Sequence, residues 1–351
     1  MLLVFIGTIE QKDIGLFAAQ NKYFSSLIIW KYNIPLPGGL LTMTILALTL
    51  FSFFLKPNIW EKNKIGVLVV HLGALILLIG GGITSAFSKE GNMVILEKNQ
   101  SNYMHSFYYK EFTIMNLDEY PDSIEVINFN EKILKPNNIL SYSTIPFKIE
   151  VIQYYLNSTI EPRVNNELFP LHGDAIKFEL KEKYPEKEIN ENISGIIYRI
   201  ISNSDEVSGY YIYQLEQQTP EIITINNKNY ALLLRPERTY LPFEIKLLDF
   251  KKIMHPGTNI AKSFSSEVYL IENQTSRRVL IEMNAPLRHQ GYTFYQASFI
   301  EDGDKQTTVL ATVKNYGRMF PYISSIIMCL GILFHMLIMV FLKRKGNKSV
   351  K

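Results

Sequence analysis

Two histidines stand inside uncharged apolar runs: His71 in "VHLGALILLIG" at residues 70–80 and His335 in "PYISSIIMCLGILFHMLI" at 321–338. An imidazole left facing hydrocarbon is costly, so each ring needs a hydrogen-bonded cleft or a bound metal centre. His71 follows Lys64 by seven residues and His335 precedes Lys343 by eight. At the helical rise these separations are about 10 Å and about 12 Å. Two neutral imidazoles at one depth can ligate a b-type haem axially. The alternative is that each ring only hydrogen-bonds across a helix bundle.

Other chemistry finds little support. Serines, histidines and acids are scattered, with no nucleophile elbow, no HExxH and no Gly-rich phosphate loop. His105, His172, His255 and His289 are isolated in sequence and read as solvated or core-edge residues. The single cysteine, Cys329, allows no internal disulfide, CxxC pair or CxxCH site. The chain is therefore neither a dithiol enzyme nor itself a c-type cytochrome. A formal charge of +3 over 351 residues offers no basic face for nucleic acid.

The elements that hold the two histidines are long apolar runs, and crossing a bilayer takes about 20 such residues. Residues 65–87 carry no charge and break polarity only at His71, Thr84 and Ser85; residues 319–342 are also uncharged. A third run, "GLLTMTILALTLFSFFL" at 39–55, is near the short limit. Backbone in lipid must bond internally, so all three read as transmembrane helices. Residues 1–9, "MLLVFIGTI", are too short to span and lack a basic n-region. They are expected to be the outer end of a first span that begins upstream. On the 65–87 helix, Gly66, Gly73 and Gly80 fall within about 40° of the pole opposite His71. Such a stripe lets a neighbouring helix approach closely.

Cations near the span ends set direction. Residues 56–64 hold Lys56, Lys62 and Lys64 against Glu61, and residues 343–351 hold Lys343, Arg344, Lys345, Lys348 and Lys351 without an acid. Both are expected in the cytoplasm. Residues 10–38 then form an external loop and residues 88–318 a large external domain.

That domain alternates apolar and polar residues between Asn, Gly, Pro and Asp clusters, the signature of strands. "PFKIEV" at 146–151 and "PFEIKL" at 242–247 share one pattern. They are either two related β units or two edge strands each opened by proline. Residues 277–313 read as three successive strands, with turns begun at Asn284-Ala285-Pro286 and marked by Asp302-Gly303. Within them the aromatic segment 292–299 is either core or a surface for a flat ligand or partner. The expected fold class is a membrane α-helical bundle, three full spans plus a truncated first, with a large external mostly-β domain.

Several motifs together resemble the ResB (CcsB) family of membrane proteins for c-type cytochrome biogenesis. They are "GTIEQKDIGLFAAQNKYF" (7–24), "IPLPGG" (34–39), "VHLGALILLIGGGITSAF" (70–87), "LPFEIKLLDFKKIMHPGT" (241–258), "MNAPLRHQGYTFYQASF" (283–299) and "PYISSIIMCLGILFHMLI" (321–338). The resemblance implies a ResC/CcsA-type partner with a tryptophan-rich WWD segment, fused to ResB in some bacteria. It implies that the pair carries haem outward and joins its vinyl groups to the thiols of apocytochrome c. His71 stands where the family places one axial ligand of an intramembrane haem; the other ligand and the external delivery histidines belong to the ResC half. This chain has only Trp30 and Trp60, so it resembles the ResB subunit alone. "KNYG" at 314–317 departs from the usual "NPG"-like turn. The implied location is the bacterial cytoplasmic membrane, multi-pass, with the large domain periplasmic or extracytoplasmic and the C-terminus cytoplasmic.

The leading expectation is a haem-handling, non-catalytic subunit of a cytochrome c synthetase complex. His71 is its axial ligand to a transient b-type haem shared with the partner, and His335 is a candidate second ligand within the chain. The alternative is a structural or sensory protein whose external β domain binds an envelope partner, with no cofactor.

Overall fold

The computed structural model describes residues 2–31, 33–118, 125–164, 169–258, 261–303 and 305–348. Met1 and Lys351, at the ends of two expected segments, lie outside the described residues.

Two antiparallel strands, Gln100–Asn116 and Lys228–Met254, form the spine of the β domain. Their alternation is interrupted twice. Register shifts between Pro236 and Arg238 and again between Tyr240 and Ile245, where Pro242 has no N–H to give the ladder. These breaks divide the spine between two hydrophobic cores.

On one side of the break, Phe112, Ile114, Leu232 and Leu234 point inward, with Glu125–Asn130 and Glu221–Ile225 extending the sheet. They face a four-stranded sheet ordered Gly209–Gln214, Gly195–Ile201, Lys148–Tyr155 and Ile139–Leu140. That sheet contributes Phe147, Ile149, Val151, Ile196, Tyr198 and Ile200. Alternate residues Ile149/Val151 and Ile196/Tyr198/Ile200 point into this core, the two-residue period of a strand.

On the other side, the spine continues into a curled sheet. Ala261–Glu272 and Thr275–Glu282 lie to one flank; Lys89–Leu96, Lys305–Lys314, Tyr292–Asp302 and Leu287–His289 lie to the other. Inside are Phe243, Ile245, Leu247, Met93, Ile95, Phe294 and Leu310. The two flanks meet where the buried Ser266 hydroxyl bonds Gln296 at 2.5 Å and Thr308 at 2.7 Å.

The two similar stretches thus occupy corresponding places, Phe147/Ile149/Val151 in one core and Phe243/Ile245/Leu247 in the other. Neither lies on an edge strand, since each is paired on both sides. In the aromatic strand Tyr292 and Phe294 are core, whereas Tyr295 is exposed. A short strand at Leu287–His289, within the first connection, is an element the sequence pattern does not reveal.

The helical part differs from the expected fold class. Among the described residues two helices are long and apolar enough to cross a membrane, within Lys62–Phe87 and Phe320–Phe341. The expected three-span bundle is not formed. The 39–55 run is helical only over Gly39–Phe53, 15 residues, or about 22 Å against a hydrocarbon core of about 30 Å. Pro57 explains the early stop: it cannot continue the helical ladder, and it holds Lys56 extended at φ −78°, ψ 122°. The N-terminal run is also helical. Its helix continues past Ile9 to Ile14 through Glu10, Lys12 and Asp13.

The two long helices leave the sheet side by side, because Lys89 at the end of one faces Lys314 before the other in strand register. Asn315 closes that junction. Its side-chain oxygen accepts from Gly317 N at 2.7 Å and from the Thr84 hydroxyl at 3.1 Å. The "KNYG" turn is thus held by an asparagine side chain.

Candidate functional site

Glycine spacing decides which way His71 faces. Gly66, Gly73 and Gly80 are buried in the Ile65–Phe87 helix, and all three abut the C-terminal helix. A Cβ on Gly80 would lie 2.2 Å from Phe320, one on Gly73 2.5 Å from Met328, and one on Gly66 2.4 Å from His335 N. Gly331 returns the contact against Val70 and Gly66. This seam is the close helix approach that small residues permit. His71, on the opposite face, turns away from it.

The ring of His71 is held by two contacts. Phe53 of the Gly39–Phe53 helix stacks on it, with ring centroids 3.9 Å apart and planes 10° apart. Its Nδ1 lies 2.9 Å from the carbonyl oxygen of Val67, one turn back. A carbonyl can only accept, so Nδ1 carries the proton and, in the neutral ring, Nε2 carries the lone pair. Among the described residues nothing hydrogen-bonds Nε2. An imidazole fixed through one nitrogen with the other free has the donor set of an axial haem ligand.

His335 is placed differently. Its backbone packs on Gly66, five residues before His71, so the two histidines are offset by about 7 Å along the helix axis. They also lie on different sides of the His71 helix. Its Nδ1 is buried without a hydrogen-bond partner. The structure does not bring the two rings together. Equal counts from the nearest cation do not give equal depth, because the glycine seam sets the helix register.

Elsewhere, among the described residues, no group of three or more His, Cys, Asp or Glu gathers as a metal site. His172 stacks on Tyr211 and His289 pairs with Glu272 at 2.8 Å. Two features have no sequence signature. One is a cavity of about 630 Å³ where the Phe87 end of the helix meets the β domain, lined by Phe17, Lys89, Tyr108, Lys132 and Tyr316 among others. The other is a buried ion pair at the spine break, Arg235 Nε to Glu111 Oε1 at 2.8 Å, with Asn128 accepting a second guanidinium bond. Burial raises the Glu111 carboxyl above its usual range, although Arg235 opposes the shift.

The sequence model of the ResB-like family matches residues 61–153 and 206–316. This chain belongs to the ResB-like family. That family is one of membrane proteins for c-type cytochrome biogenesis, and the matched parts include the His71 helix and both strands of the spine. A curated relative, Protein NrfI of Wolinella succinogenes, is 22% identical over 345 residues, covering 95% of this ResB-like chain and 32% of that protein. The chain therefore spans about a third of the length of the relative it matches. Membership in a membrane family agrees with the burial of the two long helices. Only 17% and 11% of their apolar windows are buried, whereas a helix at the centre of a soluble domain is enclosed on most sides.

Proposed function

We propose that this chain is a ResB-type subunit of a c-type cytochrome maturation complex in which His71 binds a b-type haem within the membrane through Nε2. The observation that carries the reading is the Nδ1 contact with Val67 O at 2.9 Å, which leaves one unengaged nitrogen on an oriented ring. Phe53 supports it by holding the ring plane. Bound haem supplies the vinyl groups that become thioether links to the acceptor's cysteines.

The chain's own residues bind and orient; they do not join the bonds. Cys329 is exposed on a lipid-type helix, so no thiol pair is offered. The second axial ligand comes from a ResC/CcsA-type protein with a WWD segment, and apocytochrome c is the acceptor. In this arrangement the β domain faces the extracytoplasmic side, as the lysine-rich ends of the helices favour, and braces the partner or the acceptor.

The test is spectroscopic. The complex purified from cells expressing both subunits should show a low-spin bis-imidazole haem spectrum. His71→Ala should abolish or weaken it, and added imidazole should restore it if the protein is folded. His335→Ala should leave it unchanged, because His335 meets Gly66 through its backbone and Cβ and lies on a different side of the helix from His71. A spectrum indifferent to His71→Ala rejects the ligand role.

A further inference from the structure

The hairpin Ile28–Lys31 with Ile34–Pro37, outside the segments matched by the family, has one face without a charge. In its register Ile28 opposes Pro37 and Trp30 opposes Pro35, and these four residues are exposed. Ile28 is 53% exposed and Trp30 67%. On the other face Ile29 is buried, and Lys31 bonds Glu10 at 3.2 Å. Glu10 also takes Lys22 at 2.7 Å, and these bonds, Lys22 first, hold its carboxyl down to about 2. Ile29 and Lys31 thus anchor one face to the protein, although Ile34 on it stays exposed, and the Ile28/Trp30/Pro35/Pro37 face is turned out.

The position of the hairpin in the fold names its partner. Gly38 N bonds Leu27 O at 2.8 Å, and a Cβ on Gly39 would lie 2.6 Å from Phe24 backbone, so hairpin and Gly39–Phe53 helix are joined closely. Phe53 sits beside His71, and Gly39 is about 21 Å from it by helical rise. Phe17 stacks on Tyr108 and lines one cavity with Ser85 and Phe87. Both facts put the hairpin level with the Phe87 end of the membrane helix. The chain's other tryptophan, Trp60, lies at the opposite end, in the turn that Lys64 Nζ ties to the helix start through Asn58 O. Trp60 is 63% exposed. One exposed tryptophan at each end of a bilayer-length helix is the distribution of residues at the two membrane–water boundaries.

We infer that the 28–37 hairpin is a lipid-binding element whose Ile28/Trp30/Pro35/Pro37 face lies in the headgroup–acyl boundary on the β-domain side. The bilayer is the occupant the placement favours, because the face lies level with the Phe87 end of a bilayer-length helix and pairs with Trp60 at the opposite end. An apolar face of this kind enters about 5–10 Å below the headgroups.

The full chain with Trp60→Phe, reconstituted in phosphatidylcholine–phosphatidylglycerol vesicles, leaves Trp30 as the only tryptophan, read by excitation beyond the tyrosine band. Lipids brominated on upper acyl carbons should quench it about twofold or more, and more strongly than lipids brominated near the tail, given that shallow depth. Aqueous iodide should quench weakly. The reciprocal Trp30→Phe protein, reporting Trp60, checks that the chain is inserted. Quenching by iodide with no response to brominated lipid, in a chain whose Trp60 does respond, overturns the inference. Iodide access that disappears only when a second subunit is added overturns it in favour of a protein contact.

Discussion

The backbone nitrogen of His335 occupies the place where a side chain on Gly66 would begin, 2.4 Å from that missing Cβ. Backbone, not a flexible side chain, would have to yield, so Gly66→Ala should pry the helix pair apart. The expected cost is about 1–3 kcal/mol. Gly81→Ala is the internal control, because nothing lies within 4 Å of its added Cβ. There the better helix propensity of alanine should leave stability unchanged or raise it by up to about 1 kcal/mol. Thermal unfolding of both variants in detergent, followed by circular dichroism, separates close packing from general sensitivity of the helix.

Phe53 is the neighbour that fixes the plane of the His71 ring. Phe53→Ala should weaken haem retention by the complex about tenfold, the lower range for groups that orient a metal ligand. Phe51, 54% exposed on the same helix, is the comparison, and its alanine variant should retain haem as the parent does. Equal retention by both variants would remove Phe53 from the site.

What the sequence conveys about this site, and what it conceals, follows from the range of each interaction. Gly66, Gly73 and Gly80 announce the seam because a seven-residue spacing is local. Phe53 does not announce itself: "LFSFFL" offers three phenylalanines, and only tertiary packing selects one. The length of its helix is misjudged because Pro57 acts backward through Lys56 to the last turn. In the β domain, alternation in "PFKIEV" and "PFEIKL" is local and marks inward residues correctly. The sharing of the 228–254 strand between two cores depends on strand partners far away in sequence, and nothing within the strand declares it.

Glu111 and Arg235 are such distant partners, with side chains only 4% and 8% exposed. Arg235→Met strands a carboxylate in the interior and should cost about 3–5 kcal/mol. The double variant Glu111→Leu/Arg235→Met should recover most of that loss. Burial already raises the Glu111 pKa, and removing the guanidinium raises it further. A raised carboxyl stabilises the fold below its unfolded pKa and loses that support as pH rises through the folded one. The single variant should therefore be less impaired in mild acid than in mild base, read from midpoints of β-domain unfolding.

His105 should govern acid sensitivity at the same junction. Burial, then the charges of Arg238 and Arg235, hold its pKa down to about 4, with the Pro236 carbonyl opposing. Its Nδ1 is buried without a hydrogen-bond partner, so protonation there gains no new acceptor from the described residues. For a depressed histidine the unfolded chain takes up the proton first. Stability is full above the ordinary imidazole value of 6.5 and declines as pH falls toward about 4. The loss across that window should be on the order of 2 kcal/mol. His105→Gln keeps a polar side chain and removes the titration. Its unfolding midpoint should fall less between pH 7 and pH 4.5 than the parent's, whatever its stability at neutral pH. Parallel acid limbs in the two proteins would assign the sensitivity to other groups, with the raised carboxyls of Glu111 and Glu131 unable to account for it because their shift acts in the opposite sense.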